Sequence, residues 1–182
     1  MSMVPKNVFY VKGTGYHDSK LISLEQALRS AGIEKYNLVK VTSILPLNCI
    51  EISKDEGLKK LAPGQIVYAV LSYTSSDKKD QAFTAAVGVA KPKNQGEYGY
   101  LSEYQAFDEL PERIGAFAER LAAEMLATAL GVQFDADVDY DEKQEIYKMN
   151  GKIVESKNIT ESAVVKKDGE WCTALAAAIF IL

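Results

Sequence analysis

Eight residues near the end of the chain, Ala174 to Ile181 (ALAAAIFI), are apolar without a break and mostly small. An element that is apolar on every side has to be covered on every side. The run suits a strand pressed between two layers, and periodicity alone leaves a buried helix open. The remaining chain must therefore supply layers to close over it.

Strand signals dominate that remainder. Asn7 to Lys12 (NVFYVK) reads as a short strand that Gly13-Thr14-Gly15 breaks as a turn. Gln65–Tyr73, Ala82–Ala90 and Tyr98–Tyr104 read as three antiparallel neighbours. Asn150-Gly151 is a type I′ turn signal between Gln144–Met149 and Lys152–Ser156. Asp168-Gly169 reads as the turn of a second hairpin, joining Ala163–Val165 to Trp171–Ile181. Two helices stand out. Ser23-Leu24-Glu25-Gln26 has the form of a capping box, and Gly32 stops the helix that follows. Pro111 opens a longer helix to Leu130, with Ile114, Phe117, Leu121, Met125 and Leu126 as its apolar stripe. Two helices with seven or eight mostly hairpin-linked strands predict an α+β fold with antiparallel sheets.

Bulk properties exclude some functions. The chain has 182 residues, enough for one domain with a full core. A net charge of −4 offers no basic field for nucleic acid. No apolar run reaches membrane-spanning length, and the N-terminal segment lacks the apolar core of a signal peptide. One histidine and two distant cysteines, Cys49 and Cys172, make a zinc site a poor reading; two free thiols in a reduced cytoplasm are expected.

One segment remains, Asn37-Leu38-Val39-Lys40-Val41-Thr42-Ser43-Ile44-Leu45-Pro46. By residue type it is a strand running into a turn, with two hydroxyl residues at the strand end. Its pattern resembles the self-cleavage site of the pyruvoyl-dependent arginine decarboxylases. In that family an Asn lies six residues before the key Ser, a small hydroxyl residue directly precedes it, and Ile-(Leu/Met)-Pro follows. Here these are Asn37, Thr42, Ser43 and Ile44-Leu45-Pro46. The spacing from Gly13 through Glu25, Asn37 and Ser43 runs without gaps.

The resemblance implies a four-layer αββα sandwich and a specific chemistry. Amino-acid decarboxylation needs an electron sink, and a carbonyl that condenses with the substrate amine supplies one. Family members make it themselves. Ser43 Oγ would attack the Thr42 carbonyl, the chain would part between Thr42 and Ser43, and position 43 would become a pyruvoyl group. Residues 1–182, read as a single domain, would become chains 1–42 and 43–182, with no pyridoxal phosphate and no metal. Asn37 would polarise the Thr42 carbonyl. Glu103, in Ser102-Glu103-Tyr104, falls at the family's proton donor; by residue type alone it is a surface strand carboxylate. Glu25 stands where the family has an Asp that binds the substrate guanidinium, one methylene longer. Thr14, Leu28 and Ile44 fall at substrate-facing positions and are equally good loop or core residues. The implied activity is L-arginine to agmatine and CO₂ in a cytoplasmic homotrimer, sometimes paired into a hexamer, with sites at subunit junctions. Another basic amino acid as substrate, or an uncut binding homologue, are the alternatives.

Overall fold

A computed structural model describes residues 3–92, 96–135, 140–141, 146–149 and 152–182. Its elements in order are β1 (Asn7–His17), α1 (Lys20–Ala31), β2 (Asn37–Lys40), β3 (Ile44–Leu45), β4 (Ile50–Glu51), α2 (Lys54–Leu58) and β5 (Ile66–Ser76). Then follow β6 (Ala82–Pro92), β7 (Gly99–Phe107), α3 (Pro111–Ala129), β8 (Tyr140–Asp141), β9 (Ile146–Met149), β10 (Lys152–Val164) and β11 (Trp171–Ile181). The strands form two sheets, in the orders β2-β5-β11-β1-β4 and β3-β7-β6-β10-β9-β8. All pairings are antiparallel except β2 with β5 and β1 with β4.

The apolar run of β11 lies at the centre of the first sheet and is buried on both faces. Leu175, Ala177 and Ile179 join Phe9, Val11, Ala27 and Ala31 beneath α1. Ala176, Ala178 and Phe180 join Val87, Val89 and Leu101 between the sheets. On the far side, α3 covers the second sheet through Ala118, Ala122, Ala123 and Leu126. The fold is thus α+β, a four-layer αββα sandwich with mostly antiparallel sheets.

Several expectations change. Gly13-Thr14-Gly15 does not break β1, which continues to His17. These glycines serve the helix above them: a Cβ on Gly15 would lie 2.2 Å from the Ser23 carbonyl oxygen, and one on Gly13 2.5 Å from that of Ala27. Ser23 is not the N-cap of α1. Ser19 holds that place, and Ser23 lies buried inside the helix, 2.7 Å from the Thr173 hydroxyl. A real capping box occurs instead at Ser53 and Glu56, opening the unforeseen α2. The stripe of α3 that is fully buried consists mainly of alanines, with Phe117, Leu121 and Met125 only partly covered.

Strand neighbours change too. β5 belongs to the first sheet, whereas β6 and β7 pair in the second. β10 and β11 likewise fall in different sheets, so Asp168-Gly169 turns between layers rather than closing a hairpin. Alternation cannot separate the two cases, because a connection between layers and a hairpin use the same turn residues. β9 and β10 do pair, Met149 opposite Lys152; their Asn150-Gly151 turn lies outside the described residues.

Gly88 of β6 tests the close approach of α3. A Cβ there would sit 2.0 Å from the Ala118 carbonyl oxygen. Gly88→Ala must push a helix backbone away, and overpacking of this kind costs about 1–3 kcal/mol. Urea unfolding should show the loss; a midpoint equal to wild type would mean that the layers are not in tight contact.

Candidate active site

Local sequence explains how the Asn37–Pro46 segment is held. Leu38 anchors β2 under α1, and Asn37 to Lys40 pair with Ile66 to Ala69. The Val41 N–H still donates to the Ala69 carbonyl, at 2.9 Å, so the chain remains in the first sheet to that point. Two residues later the Ser43 carbonyl accepts from the Leu101 N–H of β7, at 2.7 Å. Ile44 and Leu45 then pair with Tyr100 and Gly99 in the second sheet. The chain therefore changes sheets between Val41 and Ser43, and Thr42 is the residue left outside both ladders. Among the described residues neither backbone group of Thr42 is hydrogen-bonded. Three extended residues reach at most about 10 Å, the usual separation of face-packed sheets, so the crossing has little slack.

This geometry is chemically useful. Thr42 is exposed and Ser43 half-buried. The carbonyl on the far side of Ser43 is fixed, while the Thr42 carbonyl is uncommitted and open to attack by a neighbouring hydroxyl. After the crossing, Cys49 N–H turns back to the Pro46 carbonyl, and the chain returns to the opposite edge of the first sheet as β4. A cleft of about 700 Å³ beside the crossing is lined by Val41, Thr42, Ile44, Pro46, Tyr68 and Phe180 among others.

Glu103 lies on β7, two residues beyond the Leu101 N–H that holds Ser43. Its side chain is 23% exposed, and its Oε2 lies 2.5 Å from Lys40 Nζ. The sequence reading gave Lys40 no role. It sits three residues before Ser43, at the end of β2, where only the sheet pairing brings it to β7.

The other expected residues lie elsewhere. Asn37 Nδ2 donates to the Gly64 carbonyl at 2.8 Å. Five residues of extended chain, about 16 Å, separate it from Thr42. Within one chain its amide is turned to the β5 entry loop, not to Thr42. Thr14 lies on β1 opposite Ala174, and Leu28 packs against the core beneath α1. Glu25 is on α1, half-exposed and paired with Arg29 one turn on. β1 and β2 are separated by β5 and β11, three strand steps or about 14 Å. One chain thus brings together Thr42, Ser43, Ile44, Glu103 and Lys40, and keeps Thr14, Glu25 and Leu28 across the sheet from them. No group of three potential metal ligands occurs among the described residues.

Comparison with known proteins gives a consistent result. The family model described as pyruvoyl-dependent arginine decarboxylase matches residues 7–182. The chain is 51% identical over 181 residues to a probable pyruvoyl-dependent arginine decarboxylase of Chlorobaculum tepidum, covering 100% of this chain and 99% of that one. It is 48% identical to the corresponding protein of Chloroherpeton thalassium, over the full length of both. It is 46% identical to a pyruvoyl-dependent arginine decarboxylase of Methanococcoides burtonii, covering 99% of this chain and 100% of that one.

The loop that follows the crossing can be probed through Cys49. Burial pushes its thiol up to about 11. The reactive species is the thiolate, so at about pH 8 only roughly a thousandth of Cys49 would be reactive. Alkylation by iodoacetamide should be slow there and accelerate steeply toward pH 11, as the proton is lost. Fast labelling of Cys49 at pH 8 would mean that the loop does not pack on the core as described.

Proposed function

The chain belongs to the pyruvoyl-dependent arginine decarboxylase family, and from that membership we propose that it converts L-arginine to agmatine and CO₂ at a pyruvoyl group made from its own Ser43. The observation that carries the residue assignment is the crossover, which leaves the Thr42 carbonyl free of both sheets while Leu101 anchors Ser43.

Ser43 Oγ adds to the Thr42 carbonyl carbon. A bond from that carbon to Oγ forms, its bond to the Ser43 nitrogen breaks, and the amide becomes an ester. Loss of the Ser43 α-proton then expels the Thr42 carboxylate and leaves dehydroalanine at position 43. Water replaces the nitrogen, and ammonia departs. Chains 1–42 and 43–182 stay together, because β1 remains paired to β11 along its whole length and β2 to β5. Residues at the crossing suit the group: the carbonyl of position 43 is held by Leu101, and Ile44 provides an apolar wall. When formed, the pyruvoyl group would supply the electron sink for loss of CO₂. Glu103, paired as a carboxylate with Lys40 at rest, takes up the proton that the substrate ammonium loses and returns it to the substrate α-carbon. Glu25 receives the guanidinium, a natural bidentate partner for a carboxylate, Thr14 and Leu28 contribute to the substrate pocket, and Asn37 polarises the Thr42 carbonyl.

The two groups of residues stand three strand steps apart on one sheet, about 14 Å. A second copy can join them by setting its Glu25 side against the Ser43 side of its neighbour, in a trimer or a pair of trimers. On this reading Asn37 also acts across the junction. The expected compartment is the cytoplasm, where Cys49 and Cys172 stay reduced.

Intact mass tests the chemistry. Wild type should give two fragments, split between Thr42 and Ser43, with one water gained and one ammonia lost. Ser43→Ala should remain one chain and be inactive. Glu103→Gln should be cut normally yet turn over about 10²–10⁴-fold more slowly, since the amide keeps the shape but has no carboxylic proton to give. A permanently single wild-type chain that consumes arginine would refute the assignment of Ser43.

Shared sites can be tested by mixing. Ser43→Ala and Glu25→Gln chains, each inactive alone toward arginine, should regain activity when co-expressed, because some junctions then combine an intact Ser43 with an intact Glu25. Mixed assemblies as inactive as their parents would rule out a site built from two copies.

A further inference from the structure

We propose that Lys40 is a positioning residue for Glu103, holding its carboxyl group beside the bond to be cut and, afterwards, beside the reacting substrate. This rests on the functional reading above.

Geometry supports it. Lys40 is the last residue of β2 and lies three residues before Ser43. Glu103 lies two residues past Leu101, whose N–H anchors the Ser43 carbonyl. The two side chains meet at 2.5 Å across the place where the chain leaves one sheet for the other. Lys40 is therefore tied to the entry side of the crossing and Glu103 to its exit side. Among the described residues Lys40 is the one cation at ion-pair distance from Glu103.

Stability does not account for the pair. Lys40 is 55% exposed, and a pair so open to water contributes little to folding. Its effect is on orientation. Glu103 has three rotatable side-chain bonds and, on the same β7 face, only Leu101 and Gln105 as neighbours along the strand. Gln105 is committed to the Ser72 hydroxyl at 3.0 Å. Without Lys40 the carboxyl group has no fixed partner, and a general acid loses efficiency quickly when displaced from its target. The contact also survives the cut. Lys40 belongs to chain 1–42 and Glu103 to chain 43–182, so the N-terminal fragment keeps a role in turnover after it has been severed.

The test uses the full-length protein and four variants: Lys40→Met, Lys40→Arg, Glu103→Gln and the double variant Lys40→Met/Glu103→Gln. Intact mass reads cleavage, thermal melting reads folding, and agmatine release reads kcat and KM separately. Lys40→Met should be cut completely and melt close to wild type. Its kcat should fall about tenfold or more, with KM changed by no more than about twofold. Lys40→Arg, which keeps the charge at a similar reach, should recover most of the rate. In the Glu103→Gln background Lys40→Met should add little, because Lys40 acts through the carboxylate that is already gone. Three results would overturn the proposal: a cut Lys40→Met enzyme with wild-type kcat, an undiminished Lys40 effect in the Glu103→Gln background, or failure of both Lys40→Met and Lys40→Arg to be cut. The last would place Lys40 in self-cleavage instead. A wild type that is neither cut nor active on arginine would overturn the functional reading itself, and so differs from a cut, active enzyme indifferent to Lys40.

Discussion

The structure depends on how closely its layers approach. β11 presents Ala176 and Ala178 to the second sheet and Ala177 to α1, and none of them is exposed. Gly88 lies directly under the backbone of α3, and Gly13 and Gly15 under that of α1. Small side chains let sheets and helices come within backbone range, where packing rather than side-chain volume excludes water. The cost is that almost any added atom must displace a whole element.

That spacing has a consequence at the crossing. A chain that passes from β2 to β3 with Thr42 as its only unladdered residue can do so only if the sheets are near each other. Val41 is still bonded to Ala69 when Ser43 is already bonded to Leu101. Tight layers thus produce a short, well-anchored span with one free peptide carbonyl.

The same span arranges charge. Ending one edge strand at Lys40 and running β7 beside the exit of the crossing places a cation and a carboxylate on either side of Thr42-Ser43. Glu25 stands apart from this span. Glu25 is carried by a helix over β1, and its carboxylate is engaged by Arg29 of the same helix. On the proposed function, a substrate guanidinium must compete there with the one already engaged.

Much of this was legible in the residues alone. The uninterrupted run Ala174–Ile181 demanded burial on both faces, and the segment Asn37–Pro46 carried its own order of strand, hydroxyl pair and proline. The α3 start at Pro111 and the α1 stop at Gly32 follow from backbone chemistry local to those residues. What sequence could not decide is which strands share a sheet, since β5 and β6, or β10 and β11, are joined by turns that serve a hairpin and a layer change equally well. Nor could it show that Gly13 and Gly15 accommodate a helix instead of forming a turn, because the helix that needs the space lies above them only in three dimensions. Lys40 is the clearest case. In the sequence it is one solvated lysine among many, and 63 positions separate it from Glu103 (103 minus 40). Only the crossing of the chain between two sheets sets its ammonium against that carboxylate.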